Sequence, residues 1–168
     1  MGEAKRKRDA VQNNEAAKWA RAAEPETGAL LAGLITVMRP TLIAECGTYP
    51  GRMTHPLAKA AADVGATLDT VERVPWMYEE MRTEFKGHAN VNVLAEPITD
   101  FAGYELTFLD SGPTYAERMQ DLACWEMTAA PGAVAVLDDV KDGWIFPMLV
   151  QQNLFIDTGH GLLVVQRR

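Results

Sequence analysis

The feature that most restricts the fold of this chain is an alternation. From residue 41 onward, short apolar runs recur with helical stretches between them. Thr41–Cys46, Thr67–Glu72, Val91–Ala95, Leu106–Asp110 and Ala133–Asp138 are too short for helices and are bounded by turn residues, as buried strands are. Between them, the segment up to Val64, Pro75–Phe85, about Tyr115–Ala129 and about Ile145–Gln152 read as helices. Ahead of the first strand, Ala29–Met38 reads as an apolar helix stopped by Pro40, while the run Glu24 to Gly28 breaks the preceding pattern. A strand followed by a helix and another strand needs a crossover connection, so the pattern predicts a parallel sheet with helices on both faces. The ending differs. Leu154–Asp157, the turn Thr158–Gly161 and Leu162–Gln166 read as a β-hairpin. The expected fold is therefore α/β, a Rossmann-like, doubly wound and mostly parallel sheet with a C-terminal antiparallel hairpin.

A chain of 168 residues suits one domain with one substantial core. Residues 25–168 read as that domain, and residues 1–24 as a basic, helical arm before it. The net charge of −7 disfavours broad binding to nucleic acid, against which only Lys5 to Arg8 stands. No apolar run is long enough to span a membrane. Met1 to Arg8 leads into no apolar segment of the secretory kind, and Cys46 and Cys124 lack metal-type or disulfide-scaffold spacing. A cytoplasmic setting is expected.

In open α/β sheets, ligands sit at the carboxyl ends of the strands, so polar residues there carry most information. The first strand ends in Glu45-Cys46-Gly47-Thr48-Tyr49-Pro50-Gly51. Gly47 and Gly51 would let backbone approach a ligand, and Thr54 is placed to cap the next helix. Glu72 ends the second strand, where a carboxylate can accept from both hydroxyls of a ribose. Asp110 ends the fourth strand, and Asp138 and Asp139 the fifth. These carboxylates are expected to project into the same cleft as Glu45 and Glu72. Three acids at one rim repel unless a cation or a proton relieves them, and oxygen ligands select hard ions such as Mg²⁺.

The stretch from Thr27 to Leu31 and on through Gly51 resembles the cofactor region of catechol O-methyltransferase and its bacterial O-methyltransferase relatives, within the class I methyltransferases that use S-adenosylmethionine (SAM). Their Glu-x-Gly-x-Tyr-x-Gly loop is matched by Glu45, Gly47, Tyr49 and Gly51. The resemblance implies SAM as cofactor, a ribose-binding acid at Glu72 and adenine contacts around Glu96, Pro97 and Ile98. It also implies a divalent metal, Mg²⁺ foremost, held at Asp110, Asp138 and Asp139, with Asp139 replacing the family's Asn. Two departures matter. Met53 stands where the family has a small hydroxyl residue for the methionine carboxylate, leaving Thr54 as the neighbouring substitute. Pro113 stands where the catechol-type enzymes have a catalytic Lys, which leaves Asp110, Lys141 and the turn residue His160 as candidates for the proton-transfer group. Trp76, Trp125 and Trp144 read as packing residues.

The resemblance implies SAM-dependent O-methyl transfer to an unidentified acceptor. The tight turn Thr158–Gly161 suggests an open acceptor site, suited to a large or protein-presented acceptor or to completion by a second copy in a homodimer. A non-catalytic SAM- or nucleotide-binding module is the alternative, favoured by Met53 and Pro113. A small NAD-dependent oxidoreductase is disfavoured by the glycine spacing.

Overall fold

The computed structural model describes residues 25–111, 114–140, 153–158 and 161–168. The expected arm at 1–24 and helical stretch at 145–152 lie outside them, as do Pro113, Lys141, Trp144 and His160. In chain order the elements are α1 (Pro25–Met38), β1 (Leu42–Cys46), α2 (Thr54–Val64), β2 (Thr67–Val71), α3 (Pro75–Glu84), β3 (Val91–Leu94), β4 (Leu106–Leu109), α4 (Tyr115–Thr128), β5 (Val134–Leu137), β6 (Leu154–Ile156) and β7 (Leu162–Gln166). The helix α1 begins before the position expected from sequence. Pro25 opens it rather than breaking it, since the first helical position needs no free N–H and a fixed φ suits it. Thr27 and Gly28 are consequently buried on α1.

The strands form one sheet in the order β3-β2-β1-β4-β5-β7-β6. Strands β1 to β5 pair in parallel, while β7 runs antiparallel to β5 and to β6. The order reverses between β1 and β4, where a crevice forms at the carboxyl ends of a doubly wound sheet. The parallel sheet and the C-terminal hairpin are as the alternation predicts.

Side chains along a strand alternate between its two faces, and the core divides accordingly. Ile43, Leu68, Leu106, Phe108, Val136 and Leu162 pack on one face with Leu31 and Ile35 of α1 and Leu57 of α2. Ala44, Leu109, Ala135, Leu137 and Leu163 pack on the other, with Leu122 and Trp125 of α4. Trp125 is fully buried, in keeping with a packing role. No helix among the described residues is long and apolar enough to cross a membrane.

Candidate active site

The loop leaving β1 is drawn against both neighbouring strands. The N–H groups of Gly47 and Thr48 both donate to the Val71 carbonyl, at 3.1 and 3.2 Å, and the Asp110 N–H donates to the Cys46 carbonyl at 3.0 Å. Gly47 has φ +106°, and a Cβ there would lie 2.4 Å from the Asp110 carbonyl oxygen. Gly51, at φ +81°, would bring a Cβ to 3.3 Å from Met81 Sδ and 3.5 Å from the Phe85 ring. The room that both glycines leave is used by the protein's own backbone and by α3.

Glu45 is not in the cleft, where the sequence reading placed it. It is fully buried beneath the loop, on the strand face it shares with Ile43. Its Oε2 accepts from Thr54 Oγ1 at 2.7 Å and from Thr70 Oγ1 at 2.6 Å. Thr70 has one hydroxyl hydrogen, which goes to Glu45, so the 2.6 Å contact between Thr48 and Thr70 has Thr48 as donor. Glu45 Oε1 is buried with no hydrogen-bond partner among the described residues. Burial pushes the Glu45 carboxyl up to about 7, with the two threonine hydroxyls pulling the other way.

The same chain of bonds corrects the expectation for Thr54. It does not cap α2; Met53 holds the cap position without a side-chain bond, and the Thr54 hydroxyl is committed to Glu45. Met53 is itself buried in the first core cluster.

Glu72 lies just past β2 and bridges two strand ends. Its Oε2 accepts from the Tyr49 N–H at 3.2 Å and its Oε1 from the Val74 N–H at 2.8 Å. Burial raises its pKa, and the two backbone donors oppose that shift. Each carboxylate oxygen keeps a lone pair beyond these bonds, so the group retains acceptor capacity for a diol. The Tyr49 ring meets Trp76 edge to face, with centroids 5.2 Å apart. Beyond β3, Glu96 and Pro97 are exposed and Ile98 packs against the second core cluster.

The ends of β4 and β5 form an acidic corner. Burial, followed by the charges of Asp138 and Asp139, holds the Asp110 carboxyl well above the usual carboxylate range, and Arg118 opposes the shift. Asp138 is buried, and its Oδ1 accepts from the Asp139 N–H at 2.8 Å. Asp139 has φ +59°, a left-handed conformation that Asp and Asn tolerate better than most residues. Its Oδ2 lies 2.8 Å from Arg118 Nη2, and Arg118 Nη1 reaches the Asp138 carbonyl at 3.5 Å.

Arg118 sits in the first turn of α4. Thr114 caps that helix, its hydroxyl accepting from the Glu117 N–H at 3.4 Å while donating to Glu117 Oε2 at 2.6 Å. Ser111 donates to Asp121, tying the loop after β4 to α4.

The three acids are therefore brought together as the sequence suggests. Among the described residues no group of three or more His, Cys, Asp or Glu stands in an arrangement that could hold a metal ion. Arg118, among the described residues, is a cation beside Asp139, and the sequence reading missed it. One signal was available. A basic residue in a helix's first turn opposes the helix dipole and calls for a nearby anion.

Residues 44–140, more than half of the chain, match the model of a methyltransferase-domain family. Comparison with curated proteins gives no match. Among solved structures, cofactor-bound Rv0187 from MTB is 23% identical over 88% of this chain and 82% of its own, with a TM-score of 0.70. The O-methyltransferase TomG from Streptomyces achromogenes, solved with SAM, is 21% identical over 92% and 89%, with a TM-score of 0.69. An O-methyltransferase from Bacillus cereus, solved with SAH, is 18% identical over 96% and 90%, with a TM-score of 0.63. The seven-stranded sheet ending in an antiparallel hairpin is the class I methyltransferase fold. A match across so much of the sequence, on a fold shared with these neighbours, makes this chain a member of the methyltransferase-domain family.

Proposed function

We propose that this protein binds SAM at the carboxyl ends of β1 and β2 and transfers its methyl group to an oxygen nucleophile. The observation that carries the reading is Glu72. This carboxylate closes β2, holds the Tyr49 backbone of the β1 loop, and keeps lone pairs for a ribose diol at the sheet's crevice. TomG and the Bacillus cereus enzyme, solved with SAM and SAH on the same fold, support the choice of cofactor and reaction. In this reading Glu72 holds the ribose, and the loop from Gly47 to Gly51 lies beside the cofactor. Glu96 and Pro97 border the adenine. When bound, SAM supplies an electrophilic methyl group, and the protein aligns the acceptor and takes up its proton. Asp110 is the described candidate for that proton, since its raised pKa makes its ionised form a stronger base than an ordinary carboxylate. Lys141 and His160 are the alternatives. Activation by a divalent ion, Mg²⁺ foremost, is part of the proposal: Asp110, Asp138 and Asp139 would hold it through hard carboxylate oxygens, and it would lower the pKa of the acceptor hydroxyl.

The acceptor proposed is large or presented on another macromolecule. Strands β6 and β7 pair up to Ile156 and Leu162, which leaves a short connection where an enclosing segment would be needed. The setting proposed is a reducing cytoplasm, consistent with two free thiols at Cys46 and Cys124.

A specific observation favours one second reading, a SAM-binding module without catalysis. Met53 is packed in the core and the Thr54 hydroxyl is spent on Glu45, so neither offers the hydroxyl expected near the methionine carboxylate. Calorimetry with SAM, SAH and NAD tests the binding claim. SAM should bind, and Glu72→Ala should weaken it by about 1–3 kcal/mol through lost charge-assisted hydrogen bonds. Affinity for NAD without affinity for SAM would overturn the proposal. Methyl transfer from labelled SAM to candidate hydroxyl acceptors separates the enzyme from the non-catalytic module.

A further inference from the structure

We propose that Thr70, on β2 and outside the loop motif, is a positioning residue of the loop from Gly47 to Gly51. It ties Thr48 to Glu45 through a hydroxyl relay and thereby sets the Tyr49 N–H on Glu72. The register of the sheet prepares the relay. Thr70 pairs with Glu45 across the parallel ladder of β1 and β2, so the two side chains stand side by side on one face. Thr70, Glu45 and Thr54 are fully buried there, and Thr48 is 2% exposed. Four polar side chains thus meet beside an apolar layer that includes Ile43, Leu57 and Leu68. Valine at position 70 would have nearly the shape of threonine without a hydroxyl to satisfy.

The Thr70 hydroxyl has two partners at once. It donates to Glu45 Oε2 at 2.6 Å and accepts from the Thr48 hydroxyl at 2.6 Å. Glu45 Oε2 also accepts from Thr54 at 2.7 Å, so Thr70 spends its single hydrogen on the carboxyl and receives that of Thr48. Bonds in series of this kind polarise and strengthen one another.

Thr48 is held at its backbone as well as at its side chain. Its N–H donates to the Val71 carbonyl at 3.2 Å, and its carbonyl accepts from the Gly51 N–H at 2.6 Å. The hydroxyl bond adds a fixed side chain, anchored to a buried carboxyl. Tyr49 follows directly, and its N–H meets Glu72 Oε2 at 3.2 Å. A turn of the peptide between Thr48 and Tyr49 would carry that N–H away and loosen Glu72 on its β1 side. Glu72 is the residue proposed above to hold the ribose, so the relay acts on cofactor binding through Thr48, Tyr49 and Glu72 in turn. This cofactor step rests on the proposed function, whereas the hold on the loop does not.

Two measurements on the full chain separate these parts. One is amide hydrogen exchange of the loop without cofactor, and the other is SAM affinity by calorimetry, with circular dichroism to confirm folding. Thr48→Val removes the loop's end of the relay and leaves the Thr70 bond to Glu45 in place. It should speed exchange at Gly47, Tyr49 and Gly51 by about three- to tenfold, the worth of one net hydrogen bond, while amides of β4 and β5 stay unchanged. SAM affinity should fall by a similar factor, and in a Glu72→Ala background Thr48→Val should cost no further affinity. Thr70→Val should reproduce both changes, Thr70→Ser should restore them, and adding Thr48→Val to Thr70→Val should change nothing more. Where Thr70→Val lowers stability too far to fold, Thr48→Val alone decides. Unchanged loop exchange in Thr48→Val would overturn the relay, as would additive effects in the double variant or a Ser variant that behaves like Val. Faster exchange with unaltered SAM affinity would overturn the route through Glu72. A wild-type chain that binds no SAM would overturn the proposed function and the cofactor step together, while the exchange data still decide whether Thr70 positions the loop.

Discussion

Replacing Glu45 by Gln should change how stability depends on pH. The Glu45 carboxyl has an ordinary value of 4.5 and is pushed up to about 7 by burial in the folded chain. Below pH 4.5 both the folded and the unfolded chain carry the proton, and the group does not penalise folding. Between 4.5 and 7 the folded state holds a proton that the unfolded state has released, so stability falls as pH rises. Above 7 the folded state also loses the proton, and the full cost of burying the charge is present. A shift of this size corresponds to about 3 kcal/mol at 1.36 kcal/mol per pKa unit. Gln keeps a carbonyl oxygen to accept from Thr54 and Thr70, and places an amide where Glu45 Oε1 has no partner among the described residues. The neutral carboxyl likewise leaves a polar group unsatisfied there, so the variant should match the wild type near pH 4 and exceed it at pH 8 by about 3 kcal/mol. Urea unfolding of both proteins across that range is the assay. Taking the difference at each pH cancels titrations the two proteins share. A difference that stays constant from pH 4 to pH 8 would refute the reasoning, because it would place the Glu45 titration outside this window.

Gly47→Ala should destabilise the fold by about 2–4 kcal/mol, since it adds a Cβ against the Asp110 carbonyl at a positive φ. A loss below about 1 kcal/mol in urea unfolding would count against the close approach of the two loops. Thr114→Ala should cost about 1 kcal/mol through loss of the α4 cap, read as a lower Tm, while Thr114→Asp should restore it.

Much of the architecture followed from local pattern. Strand and helix runs of alternating type leave a chain of this length few ways to bury its apolar faces, and right-handed crossovers then give a parallel sheet. The hairpin at β6 and β7 was equally legible, because two apolar runs separated by a short glycine-containing turn pair with each other. The loop Glu45 to Gly51 was also visible as a motif, but the destination of its side chains was not. Strand parity already puts Glu45 on the face of Ile43 rather than that of Ala44 and Cys46. Only packing showed that this face is closed by α2 and by the hydroxyls of Thr54 and Thr70. The glycines were read as room for a ligand, yet what fills the space beside Gly47 is a backbone carbonyl from β4, distant in sequence and brought near by strand order. The acidic corner divides in the same way. Strand-end acids at Asp110, Asp138 and Asp139 could be placed from the sequence alone, because parallel strands put their carboxyl ends at one rim. The contact of Arg118 with Asp139 could not, since a helix turn and a left-handed residue after the next strand become neighbours only when α4 packs back across the sheet.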